Sequence, residues 1–258
     1  MADTKFNIGK KSFFGKLLIL GLVVTSIVIS TTAVAEYKKP TTTSNPNPAS
    51  TTTTATRNLC STDAENTLST ETFLTALAPY SHRGQTVSSH PTFVWFVPDS
   101  DNFPVDFQLH EYDEQGNRTL KYQVELDSTP GIMQLSLPLD KPGLSVGKAY
   151  RWQVAILCDL NHPSKDIIVR AELDVVTPTP ELEAALNAAN NSMERANIYA
   201  DFGLWYDAIA TALSGMEGES SSALVVSFLS SLAQLEKANT DNFVQEQGHR
   251  LELVVDNL

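Results

Sequence analysis

Cysteine is scarce in this chain, and so is positive charge. Cys60 and Cys158 are the two cysteines among 258 residues. Two thiolates alone fall short of a typical structural zinc site, which takes four ligands. The five histidines, His82, His90, His110, His162 and His249, share no metal-ligand spacing, and each reads as a loop or solvent-facing side chain. Asp99-Ser100-Asp101-Asn102 opens like a calcium loop but lacks the glycine and the terminal glutamate. There is no G-x-S-x-G elbow, no P-loop and no dinucleotide fingerprint. The sequence therefore predicts no catalytic set, no cofactor and no metal. Lysine and arginine number 18 against 30 aspartates and glutamates, a net charge of −12. An acidic surface repels phosphate backbones and anionic headgroups, which argues against nucleic acid as a partner.

Long hydrophobic runs are also missing. Leu17 to Ser30 is apolar, but Lys16 cuts the run short of the roughly 18 residues that favour a spanning helix. What remains is a secretory pattern. Lys5, Lys10, Lys11 and Lys16 form a basic leader, and Ala33-Val34-Ala35 is an A-x-A cleavage site. The expectation is a signal peptide over residues 1–35, cut between Ala35 and Glu36, with no stable membrane span afterwards. The alternative is an uncleaved anchor. Either way the protein is expected outside the cytoplasm: periplasmic, lumenal or extracellular. Residues 36–59 are rich in Thr, Pro and Ser and predict a disordered linker, because such composition buries too little surface to offset ordering entropy.

Strand signals fill the next hundred residues. Phe93 to Val97 is aromatic and β-branched. Val105, Phe107 and Leu109 alternate with polar residues, as do Leu120, Tyr122, Val124 and Leu126, across the turn chemistry of Asp113 to Asn117. Tyr150, Trp152, Val154 and Ile156 share another face. Several short strands separated by turns predict an antiparallel β-sandwich over residues 60–178. The period then changes. Thr179-Pro180-Glu181 and Asn191-x-x-Glu194 are helix starts, and amphipathic stretches run to the C-terminus. The fold class is α+β, with an α-helical domain over residues 179–258.

Five stretches carry a family resemblance. They are Ala76 to Pro79, Thr86 to Phe96, Thr129 to Ile132, Val146 to Trp152, and Glu194 to Tyr199 continuing through Gly203 to Ala208. Together they resemble the cyanobacterial domain of unknown function 928, a family with no assigned activity. The order Pro91-x-Phe93-x-Trp95 and Gly147-Lys148-x-Tyr150-x-Trp152-x-Val154 is similar to immunoglobulin and fibronectin type III modules. Ala196, Tyr199, Gly203 and Ala208 resemble a tetratricopeptide unit, though its final proline is missing and Ala212 replaces a large aromatic. The family resemblance implies a cysteine at both Cys60 and Cys158, and an even pair in an oxidising compartment suggests a disulfide. Two buried free thiols are the other reading.

Tyr199, Phe202, Trp205 and Tyr206 are the candidate partner-binding residues, since aromatics at a helix junction can anchor a partner. The competing reading makes them core, or the seam between helices and sandwich. Three functions follow in order. The first is an exported, non-enzymatic protein-interaction module of unknown partner. The second is a carbohydrate- or cell-wall-binding accessory, which would call for an exposed aromatic strip. The third is a hydrolase with a site at the domain seam. The expected partner is thus an unknown protein or a glycan.

Overall fold

The computed structural model describes Met1 and residues 36–45, 60, 73–98, 102–159, 161–214 and 219–258. The signal segment with Ala35, most of the expected linker and the calcium-like Asp99 to Asp101 lie outside the described residues. Val34–Leu258 forms one compact unit.

Among the described residues the architecture is mixed α and β, with two sheets and five helices. The strands are β1 (Thr75–Ala76), β2 (Gly84–Thr86), β3 (Thr92–Val97), β4 (Pro104–Tyr112), β5 (Arg118–Asp127), β6 (Gly131–Ser136), β7 (Ala149–Ile156) and β8 (Ile167–Val175). The helices are α1 (Pro180–Ala188), α2 (Ser192–Asp201), α3 (Trp205–Ser214), α4 (Glu219–Lys237) and α5 (Asn242–Val255). One sheet has the order β1-β3-β6 and the other β2-β8-β7-β4-β5; neither closes into a barrel. All pairs are antiparallel except β2 with β8. This departs from the all-antiparallel expectation. A parallel pair needs a long crossover, and the five strands between β2 and β8 in the chain belong to it.

Alternation decides the core. Val105, Phe107 and Leu109 of β4, with Tyr150, Trp152, Val154 and Ile156 of β7, are buried on one face of the larger sheet. Phe93 and Trp95 of β3 meet them: Phe93 lies 5.1 Å from Phe107 and 5.7 Å from Trp152, centroid to centroid. Leu120 does not follow its predicted face. The β4–β5 register shifts between Leu109 and His110, so that Leu109 pairs with Tyr122 but His110 with Leu120. Such a bulge inverts the alternation beyond it, and Leu120 is exposed.

The helical starts are capped. Thr179 accepts from the Leu182 amide at 3.2 Å and Asn191 from the Glu194 amide at 2.8 Å. Gly248 does not weaken α5. A Cβ there would stand 2.8 Å from the Ala233 carbonyl and the Lys237 amide of α4, so glycine lets the two helices touch. Cys60 and Cys158 form a disulfide, with Cα atoms 4.9 Å apart. Among the described residues no helix is long and apolar enough to cross a membrane.

The predicted linker begins differently. Residues 36–45 lie along the folded body. Tyr37 is 3% exposed, its amide donates to Ser231 at 2.9 Å, and the Lys38 amide donates to the Ala200 carbonyl at 3.1 Å. Pro40 sits over Gly203, where a Cβ would come within 2.6 Å of its ring. The Arg83 amide bonds the Ser44 carbonyl and the Gln85 side chain that of Thr42. The composition argument fails here because one large aromatic, Tyr37, supplies the burial that the Thr/Pro stretch lacks.

Candidate functional site

The four candidate aromatics separate. Trp205 is 0% exposed and donates its indole proton to the Leu77 carbonyl at 2.8 Å. Tyr206 is buried too. Its hydroxyl accepts from the Trp152 indole at 2.8 Å and donates to the Glu172 carbonyl at 3.1 Å, tying α3 to the larger sheet. Tyr199 is half-buried. Phe202 is 38% exposed and lines a groove of about 310 Å³ with Pro40, Val87, Leu182 and Leu204. Asp207, at the start of α3, accepts from the Val87 amide at 3.0 Å; burial raises its pKa to about 6.

Where α4 meets the β1–β2 loop, a buried chain of hydrogen bonds joins Tyr37, His82, Ser81 and Glu236. His82 lies in a loop, within the expectation of a loop or solvent-facing side chain, but it is buried, because Tyr37 covers it. The Tyr37 hydroxyl lies 2.8 Å from His82 Nε2, and Ser81 Oγ lies 2.9 Å from Nδ1. Ser81 donates its hydroxyl proton to Glu236 at 2.7 Å, and Glu236 also accepts from the Tyr80 and Ser81 amides. Burial lowers the His82 pKa to about 3, so the ring is neutral, with one donor and one acceptor nitrogen. Serine, histidine and a carboxylate thus meet, but not as a nucleophile relay. In such a relay the imidazole draws the serine proton and the carboxylate orients the imidazole. Here the carboxylate takes the serine proton, and tyrosine occupies the far imidazole nitrogen.

Glu236 gives this network a pH dependence. Burial raises its pKa from 4.5 to about 7 against the hydrogen bonds from Ser81 that oppose the rise. The folded state therefore binds this proton more tightly than the unfolded state. The resulting stabilisation is full below the unfolded value and is lost as pH rises through about 7. Buried Asp207 acts with the same sign, and His82 with the opposite one. Comparison with Glu236→Gln cancels both. The wild type should lose melting midpoint relative to Glu236→Gln as pH rises from about 5 to about 7, and the gap should then stay constant. Thermal melts across that range at fixed ionic strength check it; parallel curves would refute the assignment.

A concavity with convergent polar groups lies elsewhere, on the outer face of the larger sheet. With Val105, Phe107 and Leu109 inward, Asp106, Gln108 and His110 point out. Register sets Gln153 of β7 beside Gln108, Arg170 of β8 beside Gln153, and Arg151 beside His110. The β4–β5 bulge then matters a second time. It puts Arg118 opposite Tyr112, on the outer phase, where unbroken alternation would have turned it inward. The result is a cleft of about 660 Å³ lined by Gln108, His110, Gly116, Asn117, Arg118, Gln153 and Arg170. Its wall is the Asp113–Asn117 turn, held by Asp113 accepting from the Gln115 and Asn117 amides at 2.9 and 2.7 Å. On its floor the Gln153 amide donates to Gln108, which donates to Asp106, which also accepts from Gln123. Burial first, then the fields of Arg118 and Arg151, lower the His110 pKa. Burial, then Arg151 and Arg118, do the same for Arg170. The cationic groups are thus near enough to feel one another.

The model of the family described as Domain of Unknown Function (DUF928) matches residues 52–247. The chain belongs to that family. No curated protein matches it. The DUF928 span takes in every strand, the disulfide and the cleft, and most of the helical segment; residues 36–45 precede it.

The sequence singled out none of the cleft residues of this DUF928 chain as a site: His110 reads as a loop or solvent-facing histidine, and Gly116 and Asn117 as turn. The others are polar members of strands whose apolar members read as core. The signal available was that Gln108, His110, Arg151, Gln153 and Arg170 all fall on the outward phase. Register and the bulge, which bring them together, are not written in any one strand.

Proposed function

We propose that this DUF928 chain is an exported, non-enzymatic interaction module. In this reading an immunoglobulin- or fibronectin-type sandwich carries a tetratricopeptide-like helical segment, and the partner is taken in the outer-face cleft. The observation that carries it is the cleft itself: a walled concavity of polar side chains, arranged in advance by a braced turn and an ordered amide chain. Pre-arranged polar groups cost less to order on binding. The helices supply packing in this reading, since Trp205 and Tyr206 spend their polar atoms inside. The disulfide suits an oxidising compartment. The seam cluster of Ser81, His82 and Glu236 favours a structural role over hydrolysis, because its protons run away from a nucleophile.

A carbohydrate or cell-wall ligand is the second reading. Trp95 and Trp152 are fully buried and offer no aromatic platform, but the amide and guanidinium groups of the cleft are suited to sugar hydroxyls. One experiment addresses both. The protein and a Gln153→Trp variant, which fills the cleft, are immobilised and exposed to an envelope fraction of the source cells and to a glycan panel. A component retained by the wild type and released by Gln153→Trp, at equal melting midpoints, is the expected result. Equal retention by both would move the binding face elsewhere.

A further inference from the structure

We propose that the slot holding residues 36–45 is a peptide-docking site, closed in this chain by that N-terminal strap. Its partner is an extended segment with a tyrosine, a proline three residues on and an apolar residue just beyond. The slot is separate from the outer-face cleft, and either site can fail without the other.

The way the strap is held is the first argument. His82, Gly203, Trp205 and Ser231 build the slot, all within the matched span 52–247, and the strap precedes that span. The Tyr37 ring stands edge-on to Trp205, and its hydroxyl meets His82 Nε2 and lies 3.4 Å from the Gly203 carbonyl. Pro40 covers Gly203, whose φ of +77° and missing Cβ leave room for the ring. Elsewhere the strap is held mostly by its backbone. The Tyr37 and Lys38 amides donate to Ser231 and Ala200, and the Thr42 and Ser44 carbonyls accept from the Gln85 side chain and the Arg83 amide. Ser44 adds a side-chain bond to Asp174. Lys38 pairs with Asp201, but both side chains are more than half exposed, so this pair contributes little. Main-chain bonds that any sequence can make, with pockets for a few side chains, are how domains take up extended peptides.

Space at the two ends of the strap is the second. A concavity of about 440 Å³ lies along α4 beside Glu36, lined by Ala223, Val226, Ser230 and Gln234. The groove of about 310 Å³ lies at the other end, where Pro40, Thr41 and Thr42 line it together with Val87, Leu182 and Phe202. The strap therefore occupies the middle of a longer track and meets its apolar end with threonines.

Competition is the third. A tethered segment faces its slot at an effective concentration on the order of millimolar. A partner displaces it only through contacts that the strap does not make. An aliphatic side chain in place of Thr41 or Thr42 supplies them, by burying apolar surface against Leu182 and Phe202. The strap thus acts as a gate, rejecting segments that merely match it and yielding to one that also fills the groove.

Fluorescence anisotropy with a labelled synthetic peptide of the sequence Glu36–Asn45 tests this. Two forms of the full chain open the slot. One is Tyr37→Ala, with circular dichroism verifying that it is folded at the assay temperature. The other keeps the native strap and carries a protease site inserted within residues 46–59; it is cut after folding, so that labelled peptide can exchange for the severed strap. The expected result is saturable one-to-one binding to Tyr37→Ala, exchange into the cut protein, and an apparent affinity for uncut wild type weaker by roughly tenfold or more. Tyr37→Phe in the peptide should weaken binding roughly tenfold, and Tyr37→Ala in the peptide should abolish it. A peptide with Thr41→Leu or Thr42→Leu should bind more tightly than the strap sequence and displace the strap from uncut wild type. No binding to either open form, a severed strap that never exchanges, or a body that unfolds once the strap leaves overturns the proposal. Equal binding of the native and Tyr37→Ala peptides does the same, as do leucine peptides no tighter than the strap sequence. Dimers of uncut wild type at high concentration, absent in Tyr37→Ala, would make the occupant a second copy of this chain and overturn the assignment to a different partner.

Discussion

Trp205→Ala is expected to lower the thermal unfolding midpoint by on the order of 10 °C. The ring is fully buried on α3, which packs against β2 and β3, and it meets Tyr37 of the N-terminal segment. Truncating a buried tryptophan costs roughly 3–5 kcal/mol through lost burial and the cavity left behind. That is a large share of a domain's typical stability of roughly 5–15 kcal/mol. The substitution also removes the donor to the Leu77 carbonyl and the edge contact with Tyr37, 4.9 Å between centroids. Trp205→Phe should recover much of the midpoint but not all, since it restores ring volume without the indole proton. An unchanged midpoint in Trp205→Ala, with loss of a binding partner, would make Trp205 an anchor for that partner.

Tyr37→Ala should be nearly as damaging, although Tyr37 lies in a stretch whose composition predicts disorder. Its ring fills the space between His82 and Trp205, and its hydroxyl meets His82 Nε2. The truncation opens a cavity at a cost of roughly 3–5 kcal/mol and leaves a buried imidazole nitrogen without its hydrogen-bond partner. Tyr37→Phe isolates the second effect, at roughly 1–3 kcal/mol. Hydrogen exchange gives the local readout. The Tyr37 and Lys38 amides, bonded to Ser231 and the Ala200 carbonyl, should be protected in the wild type and exchange freely in Tyr37→Ala. A variant that melts like the wild type, with both amides already unprotected, would remove residues 36–45 from the fold.

These two residues also measure how far the sequence could be read. Local chemistry was legible. Alternation in β4 and β7 identified the inward residues, because side-chain direction follows strand period regardless of what lies opposite. The caps at Thr179 and Asn191 were legible because a cap acts within one helical turn. The turn at Asp113 to Asn117 was legible for the same reason. Features that depend on distant partners were not. The parallel pairing of β2, the docking of Tyr37 and the burial of His82 each need a neighbour more than forty residues away in the chain. Nothing in α5 alone reveals that α4 crosses at Gly248. The cleft was hidden most completely. Its residues look like ordinary solvent-facing positions until register stacks them, and Arg118 joins them only because one bulge reverses the phase of β5.

The central claim is that the ligand face is the outer surface of the five-stranded sheet. The most direct measurement is a map of backbone and arginine side-chain NMR shifts during titration with the envelope component or glycan that the immobilised protein retains. The account predicts saturable shifts gathered at Gln108, His110, Asn117, Arg118, Gln153 and Arg170, with the Trp152 and Trp205 indoles unmoved. Shifts gathered instead around Phe202, Leu182 and Pro40, or spread evenly over exposed lysines and arginines, would contradict it.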